Sequence, residues 1–174
     1  MTITAERTGI TTFRGKPVTL LGSAVRVGDR APDFTVVAND MSPVTPASSA
    51  GSVRIVSTVP SLETPVCDQQ TRRFTEEAGG IDGVQVLTIS VDLPFTQRRW
   101  CGDAGLAHAR TLSDYRELSF GLAYGVVIKE LRLLARAVFV IDAGDRIVYA
   151  EYVPAVEQHP DYEAAIASAR AVRA

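Results

Sequence analysis

Cysteine and histidine are scarce in this chain of 174 residues, with two of each. Cys67 and Cys101 stand 34 positions apart (101 − 67), which excludes a Cys-x-x-Cys oxidoreductase motif. The four side chains, with His108 and His159, are scattered without the paired spacing of a metal site, so neither metal nor cofactor is expected. A cysteine–histidine hydrolase would need one histidine as general base. His159 lies in a Gln-His-Pro turn and His108 in an alanine-rich segment, and neither context makes a dyad. Glycine patterns of the Walker or dinucleotide kind are missing, because Gly79, Gly80 and Gly83 read as turns that precede no helix. An excess of one charge is missing too. The net charge of -2 gives no electrostatic reason to expect nucleic acid or an anionic membrane as partner. No apolar run reaches the length of a membrane span. The N-terminus lacks a basic region followed by an apolar core, so no secretory leader is expected and the expected location is cytoplasmic. In a reducing compartment two cysteines do not make a permanent staple, which favours transient, functional pairing.

What is present is an ordinary globular composition, 46% apolar and 22% charged, and a length suited to one domain over 1–174. Residues 11–14 and 17–21 flank Gly15-Lys16, which reads as the two-residue turn of an N-terminal β-hairpin. Phe34 to Ala38 is a short strand, 42–51 a loop, and Val84 to Val91 a buried strand. Asp92 and Pro94 stand where a cap and an early proline would open a short helix through Trp100 and Cys101. A short strand over 109–112 and a helix from Tyr115 to Tyr124 follow. Residues 137–141 and 146–152 form a late hairpin, and an alanine-rich helix runs from Asp161 to about Val172. Strands alternating with helices indicate an α/β domain with a mixed sheet. Phe95, Trp100, Tyr115, Phe120 and Tyr124 are expected mainly in the core, some of them bordering a pocket or a dimer surface.

The most informative stretch is 53–77. Val53 to Val59 is apolar and β-branched, as a buried strand should be, and Pro60 ends it because proline cannot donate to a ladder. After Pro65 the period changes. Val66, Gln70, Phe74 and Glu77 fall at helical spacing, with Pro65 in the first turn. Cys67 therefore sits where unpaired backbone N–H groups and the positive end of the helix dipole favour a thiolate. Thr64 stands where it can cap the helix or hydrogen-bond a ligand beside the sulfur. Arg72 and Arg73 add positive potential, Arg73 with the alternative of simply facing water. An inert buried cysteine is the commoner case in general, but this position argues for a reactive thiol.

Pro60-Ser61-Leu62-Glu63-Thr64-Pro65-Val66-Cys67 resembles the active-site motif of the peroxiredoxins, with Pro60, Thr64 and Cys67 at its signature positions. Residues 27–34, Val-Gly-Asp-Arg-Ala-Pro-Asp-Phe, resemble the segment by which those proteins enter their thioredoxin-like fold. Asp92-Leu93-Pro94-Phe95 followed by Trp100-Cys101-Gly102 resembles the thiol peroxidase family, the atypical two-cysteine branch, as does the N-terminal hairpin. Arg136, in Ala135-Arg136-Ala137-Val138, matches that family's active-site arginine, although by position alone it reads as a surface residue at a strand end. The chain departs from the family pattern in its bulky 126–134 segment, where a glycine-rich turn is usual, and at Ala155, where a glutamate is common.

The resemblance implies a thioredoxin-like α/β fold whose mixed central sheet is flanked by helices and carries the added hairpin. It implies a peroxidase in which Cys67 attacks a hydroperoxide, with Thr64, Arg136 and Pro60 shaping the site. It further implies Cys101 as resolving partner in an intrachain disulfide, thioredoxin or a similar dithiol protein as reductant, a homodimer, and a preference for alkyl or lipid hydroperoxides over hydrogen peroxide. A disulfide needs Cα atoms within about 7 Å, so two helices held in folded positions are expected to have to unwind around Cys67 and shift at Cys101 before bonding. The other readings are a peroxide-sensing thiol switch without fast turnover, and a thioredoxin-fold protein with inert cysteines.

Overall fold

The computed structural model describes residues 5–173. Residues 1–4 and 174, which the single-domain span includes and on which the expectation about a leader partly rests, lie outside the described residues. In chain order the strands and helices are β1 (Glu6–Arg7), β2 (Thr12–Phe13), β3 (Lys16–Pro17), β4 (Leu20–Leu21), β5 (Val36–Val37), β6 (Pro43–Val44), β7 (Val53–Thr58), α1 (Pro65–Ala78), β8 (Val84–Ser90), α2 (Pro94–Asp103), β9 (Thr111–Ser113), α3 (Ser119–Ala123), β10 (Val127–Ile128), β11 (Leu133–Leu134), β12 (Ala137–Ile141), β13 (Ile147–Tyr152) and α4 (Tyr162–Val172). Seven strands form the central sheet in the order β13-β12-β7-β8-β9-β5-β6. β7, β8 and β9 run parallel to one another and the outer pairings are antiparallel, so the sheet is mixed as expected. β1, β4, β10 and β11 form a second, four-stranded sheet.

Alternation along the central strands divides the core. Ile55, Val138 and Val140 point to one face, where Phe74 of α1 and Tyr162, Ala165, Ile166 and Ala169 of α4 cover them. Val56, Phe139 and Ile141 point to the other, against Phe120, Tyr124 and Val127. Each large apolar side chain fully withdrawn from water stabilises the fold by about 1.5–3 kcal/mol. β7 and β12 are buried at every position; β12 accordingly reads as a continuous apolar run, whereas β7 also buries Arg54, Ser57 and Thr58.

Several local expectations shift. The hairpin turn is Arg14-Gly15, one residue earlier than read, because Thr12 pairs with Pro17 and Phe13 with Lys16. Both turn residues have positive φ (50° and 74°), which a tight antiparallel connection of this hand demands. Leu20 and Leu21 do not continue that hairpin but pair with Glu6–Arg7 and with β10. The 42–51 loop holds β6 and a 3-10 turn over Pro46–Ser49. The helix expected from Tyr115 is reduced to α3, since Leu118 takes a left-handed φ of 53° that breaks any helix running through it. The bulky 126–134 segment is an antiparallel pair, β10 with β11.

The hairpin also reaches the central domain. Thr12 donates to Pro154 O (3.1 Å) and accepts from Val156 N (2.9 Å), bridging Ala155.

Candidate active site

β7 runs to Thr58 and Val59 adds one further bond to Ile89 before buried Pro60 ends the ladder. The chain then turns through Ser61 to Thr64 and enters α1 with Pro65 as first helical residue. Asp68 N donates to Thr64 O (2.9 Å), so Cys67 lies among the first-turn residues whose N–H groups have no helical carbonyl to reach. Thr64 occupies the N-cap position but does not cap with its side chain. Its hydroxyl donates instead to Ser61 O (3.0 Å), and the residue is exposed at the mouth of the loop.

Cys67 is fully buried, and Arg136 comes to it from the start of β12. Arg136 Nη2 stands 3.3 Å from Cys67 Sγ, Nη1 donates to Gln70 Oε1 (2.6 Å), and Nε donates to Val156 O (2.9 Å). The reading of a surface arginine at a strand end is thus excluded, since only 2% of Arg136 is exposed. A buried cation requires a counter-charge or full hydrogen bonding. Among the described residues no carboxylate forms an ion pair with Arg136. Its other two contacts are neutral oxygens, which makes Cys67 sulfur the one group in contact with it able to become an anion.

Gln70 was legible as a helix-face residue but carried no role in the sequence. It lies three positions after Cys67, is fully buried, accepts from Arg136 and donates to Ser57 Oγ (2.6 Å), so it fixes the guanidinium against the sheet. A glutamine at helical spacing between Val66 and Phe74, on a face expected to be apolar and close to Cys67, was the available signal. Tyr162 closes this side of α1. Its ring lies 5.1 Å from that of Phe74 and under the Arg73 guanidinium at 4.2 Å. Burial pushes the Tyr162 phenol up, against the opposing pull of Arg136 and Arg73. Arg73 is also paired with Glu77 at the surface.

Cys101 sits in the last turns of α2, buried, with Sγ 3.4 Å from Thr111 Oγ1. Both thiols are free, and both belong to one apolar cluster with Val59, Leu62, Trp100 and Leu106. The expected cap of α2 by Asp92 is not formed. Leu93 is the N-cap, and the Asp92 carboxylate turns back to Ser61 Oγ (2.7 Å), Leu62 N (2.8 Å) and Ser90 Oγ (2.7 Å). Phe95, expected mainly in the core, is 64% exposed, whereas Trp100, Phe120 and Tyr124 are buried. His108 is exposed in a turn and His159 bonds Tyr162 Oη through Nδ1 (2.6 Å). The structure therefore brings Pro60, Thr64, Cys67, Gln70 and Arg136 to one end of the parallel strands, with Cys101 in the adjoining cluster. Such an assembly suits attack by a thiolate on a polarised bond whose leaving oxygen takes up negative charge.

A Redoxin family model matches residues 26–166. A thiol peroxidase of Halalkalibacterium halodurans is 65% identical over 160 residues, which are 92% of this chain and 96% of that protein. The thiol peroxidase of Bacillus subtilis is 56% identical over 161 residues, 92% of this chain and 96% of its own. Among solved structures, a peroxiredoxin-like protein from Aquifex aeolicus superposes with a TM-score of 0.88 at 36% identity, covering 96% of this chain and 98% of that one. The fold also matches that of a thiol peroxidase from Chromobacterium violaceum, with a TM-score of 0.79 at 22% identity over 88% of this chain and 91% of that one. Sequence and fold lead to one conclusion: the chain belongs to the redoxin family, in its thiol peroxidase branch, and is a thiol-dependent peroxidase with a thioredoxin-like fold.

Proposed function

We propose that Cys67 is the residue oxidised by peroxide and Cys101 the residue that resolves it. The observation that carries this reading is the contact between buried Arg136 and Cys67 Sγ at 3.3 Å, with no carboxylate among the described residues to serve Arg136 instead. The thiolate attacks one oxygen of a hydroperoxide and the O–O bond breaks. The sulfur keeps that oxygen as a sulfenic acid, and the other leaves as alkoxide, or hydroxide when the substrate is hydrogen peroxide, and takes a proton. Arg136, Thr64 and the backbone N–H of Cys67 orient the peroxide and stabilise charge on the departing oxygen, and Pro60 shields the sulfur. The Cys101 thiol then displaces water from the sulfenic acid, giving an intrachain disulfide.

Because both cysteines sit inside an apolar cluster on separate helices, this second step proceeds through unwinding of the first turn of α1 and movement of α2. Thioredoxin or a similar dithiol protein returns the pair to thiols. The chain acts as one domain, as a homodimer in the cytoplasm, on alkyl or lipid hydroperoxides and on hydrogen peroxide. Among the described residues no helix is long and apolar enough to cross a membrane.

Intact-mass analysis after one equivalent of cumene hydroperoxide tests the assignment. The wild type is expected to lose two hydrogens, Cys101→Ser to gain one oxygen, and Cys67→Ser to stay unchanged. A wild type that keeps its mass would return Cys67 to a structural role. Slow turnover with normal disulfide formation would instead mark a peroxide-sensing switch.

A further inference from the structure

Asp92 lies outside the peroxide site, yet its carboxylate collects three donors from both sides of the cysteine pair. Oδ1 accepts from Ser61 Oγ (2.7 Å), and Oδ2 accepts from Leu62 N (2.8 Å) and Ser90 Oγ (2.7 Å). Ser61 and Leu62 belong to the loop that delivers Cys67. Ser90 Oγ in turn accepts from Gln97 Nε2 (3.0 Å), one turn before Cys101 on α2, and that amide also donates to Leu112 O (2.9 Å). Gln97 is fully buried and its Oε1 has no partner, so α2 is held here by the amide nitrogen alone. The main chain of Asp92 is fixed as well, since its carbonyl accepts from Ser113 Oγ on β9.

One acceptor-only group thus ties the Cys67 loop to the base of the Cys101 helix. Hydrogen bonds to a carboxylate are stronger than neutral ones, and around a half-buried group water replaces them only in part.

We propose that Asp92 is a positioning residue that holds the enzyme in its peroxide-reactive arrangement and sets how the sulfenic acid is partitioned. The inference rests on the assignment of Cys67 and Cys101 given above. While the Asp92 contacts are closed, the Cys67 loop is held against β8 and α2 is held at Gln97, one turn before Cys101. Their opening releases both elements together and lets the disulfide form. At that branch the sulfenic acid has two fates. It condenses with the Cys101 thiol, releasing water, or its sulfur attacks a second hydroperoxide, breaking the O–O bond, keeping one oxygen as a sulfinic acid and releasing the other as alcohol. Asp92 therefore favours the first oxidation and slows resolution, which makes it a determinant of sensitivity to excess peroxide.

Asp92→Asn keeps the shape but turns one acceptor into a donor facing donors. Relative to wild type it is expected to oxidise at Cys67 about tenfold more slowly, and to form about tenfold less sulfinic acid per disulfide in excess cumene hydroperoxide. Ser61→Ala, which removes one of the three bonds and no buried charge, is expected to shift the same ratio about threefold in the same direction. Mass spectrometry over a peroxide titration reads the ratio and thermal melting confirms folding. A merely structural residue would lower stability and overall rate while leaving the ratio of sulfinic acid to disulfide unchanged. An unchanged ratio in folded Asp92→Asn would overturn the proposal, and if that variant does not fold, an unchanged ratio in Ser61→Ala would do so. Absence of any disulfide in the wild type would instead sink the cysteine assignment itself.

Discussion

Arg72 on α1 donates through Nη1 to the main-chain oxygen of Ala104, 2.9 Å away at the C-cap of α2, and so bridges the two cysteine-bearing helices. The same guanidinium pairs with Asp68 and lies 5.8 Å from the Trp100 ring centroid. If disulfide formation requires α2 to leave α1, this bridge must break first. Arg72→Ala is expected to speed resolution about threefold after sulfenic acid has formed. Trp100, the sole tryptophan and the neighbour of Cys101, supplies the stopped-flow signal. Equal or slower resolution would show that the bridge is not part of the barrier.

Arg136 depends on Gln70. Gln70→Leu strands Nη1 of a buried guanidinium and the hydroxyl of Ser57, and is expected to lower the rate of Cys67 oxidation about tenfold. Arg136→Lys, which replaces a planar fork by a point charge, is expected to lower it about 100-fold. Single-turnover kinetics with cumene hydroperoxide checks both. A larger effect at Gln70 than at Arg136 would reverse the dependence.

Asp114 introduces a pH dependence of stability. Burial pushes its carboxyl up from the ordinary 3.8 to about 6, although backbone N–H groups of Gly121 (2.7 Å) and Phe120 (3.1 Å) hold it down in part. A raised carboxyl pKa means that the native state binds the proton more tightly than the unfolded chain. This contribution is complete below about pH 4 and is lost as the pH rises through about 6, with a span of about 3 kcal/mol. Urea unfolding at pH 4, 5, 6 and 7 is expected to show that decline in the wild type and to lose it in Asp114→Asn. Parallel curves for the two proteins would contradict it.

Gly22 has a φ of 98°, and a Cβ there would lie 2.1 Å from Leu122 O, where the second sheet meets α3. The neighbouring atom is backbone and cannot swing aside. Gly22→Ala is expected to destabilise the fold by about 3 kcal/mol or more in chemical denaturation. A loss under about 1 kcal/mol would mean that the chain relaxes there freely.

Sequence reading was most successful where one strong local cause acted. The β-branched run before Pro60 and the helical spacing after Pro65 located β7 and α1, and with them Cys67. It was least successful where a distant partner decided the outcome. Asp92 has the sequence context of a cap, but the donors of Ser61, Leu62 and Ser90 take its carboxylate. Leu20 and Leu21 look like the return strand of a hairpin until β10 arrives from more than one hundred residues away. Leu118 interrupts a helix that its neighbours would support, through a left-handed backbone that no propensity predicts. The burial of Arg136 and its dependence on Gln70 follow from the pairing of β12 with β7, which periodicity does not reveal.

The N-terminal hairpin has a practical consequence. Its Thr12 is bonded on both sides of Ala155, and the next carbonyl, Val156 O, is the one that receives Arg136 Nε. The hairpin is therefore a buttress for the backbone segment that receives Arg136. A change that slackens the Arg14-Gly15 turn is expected to reach the guanidinium through Val156, without touching Cys67 itself.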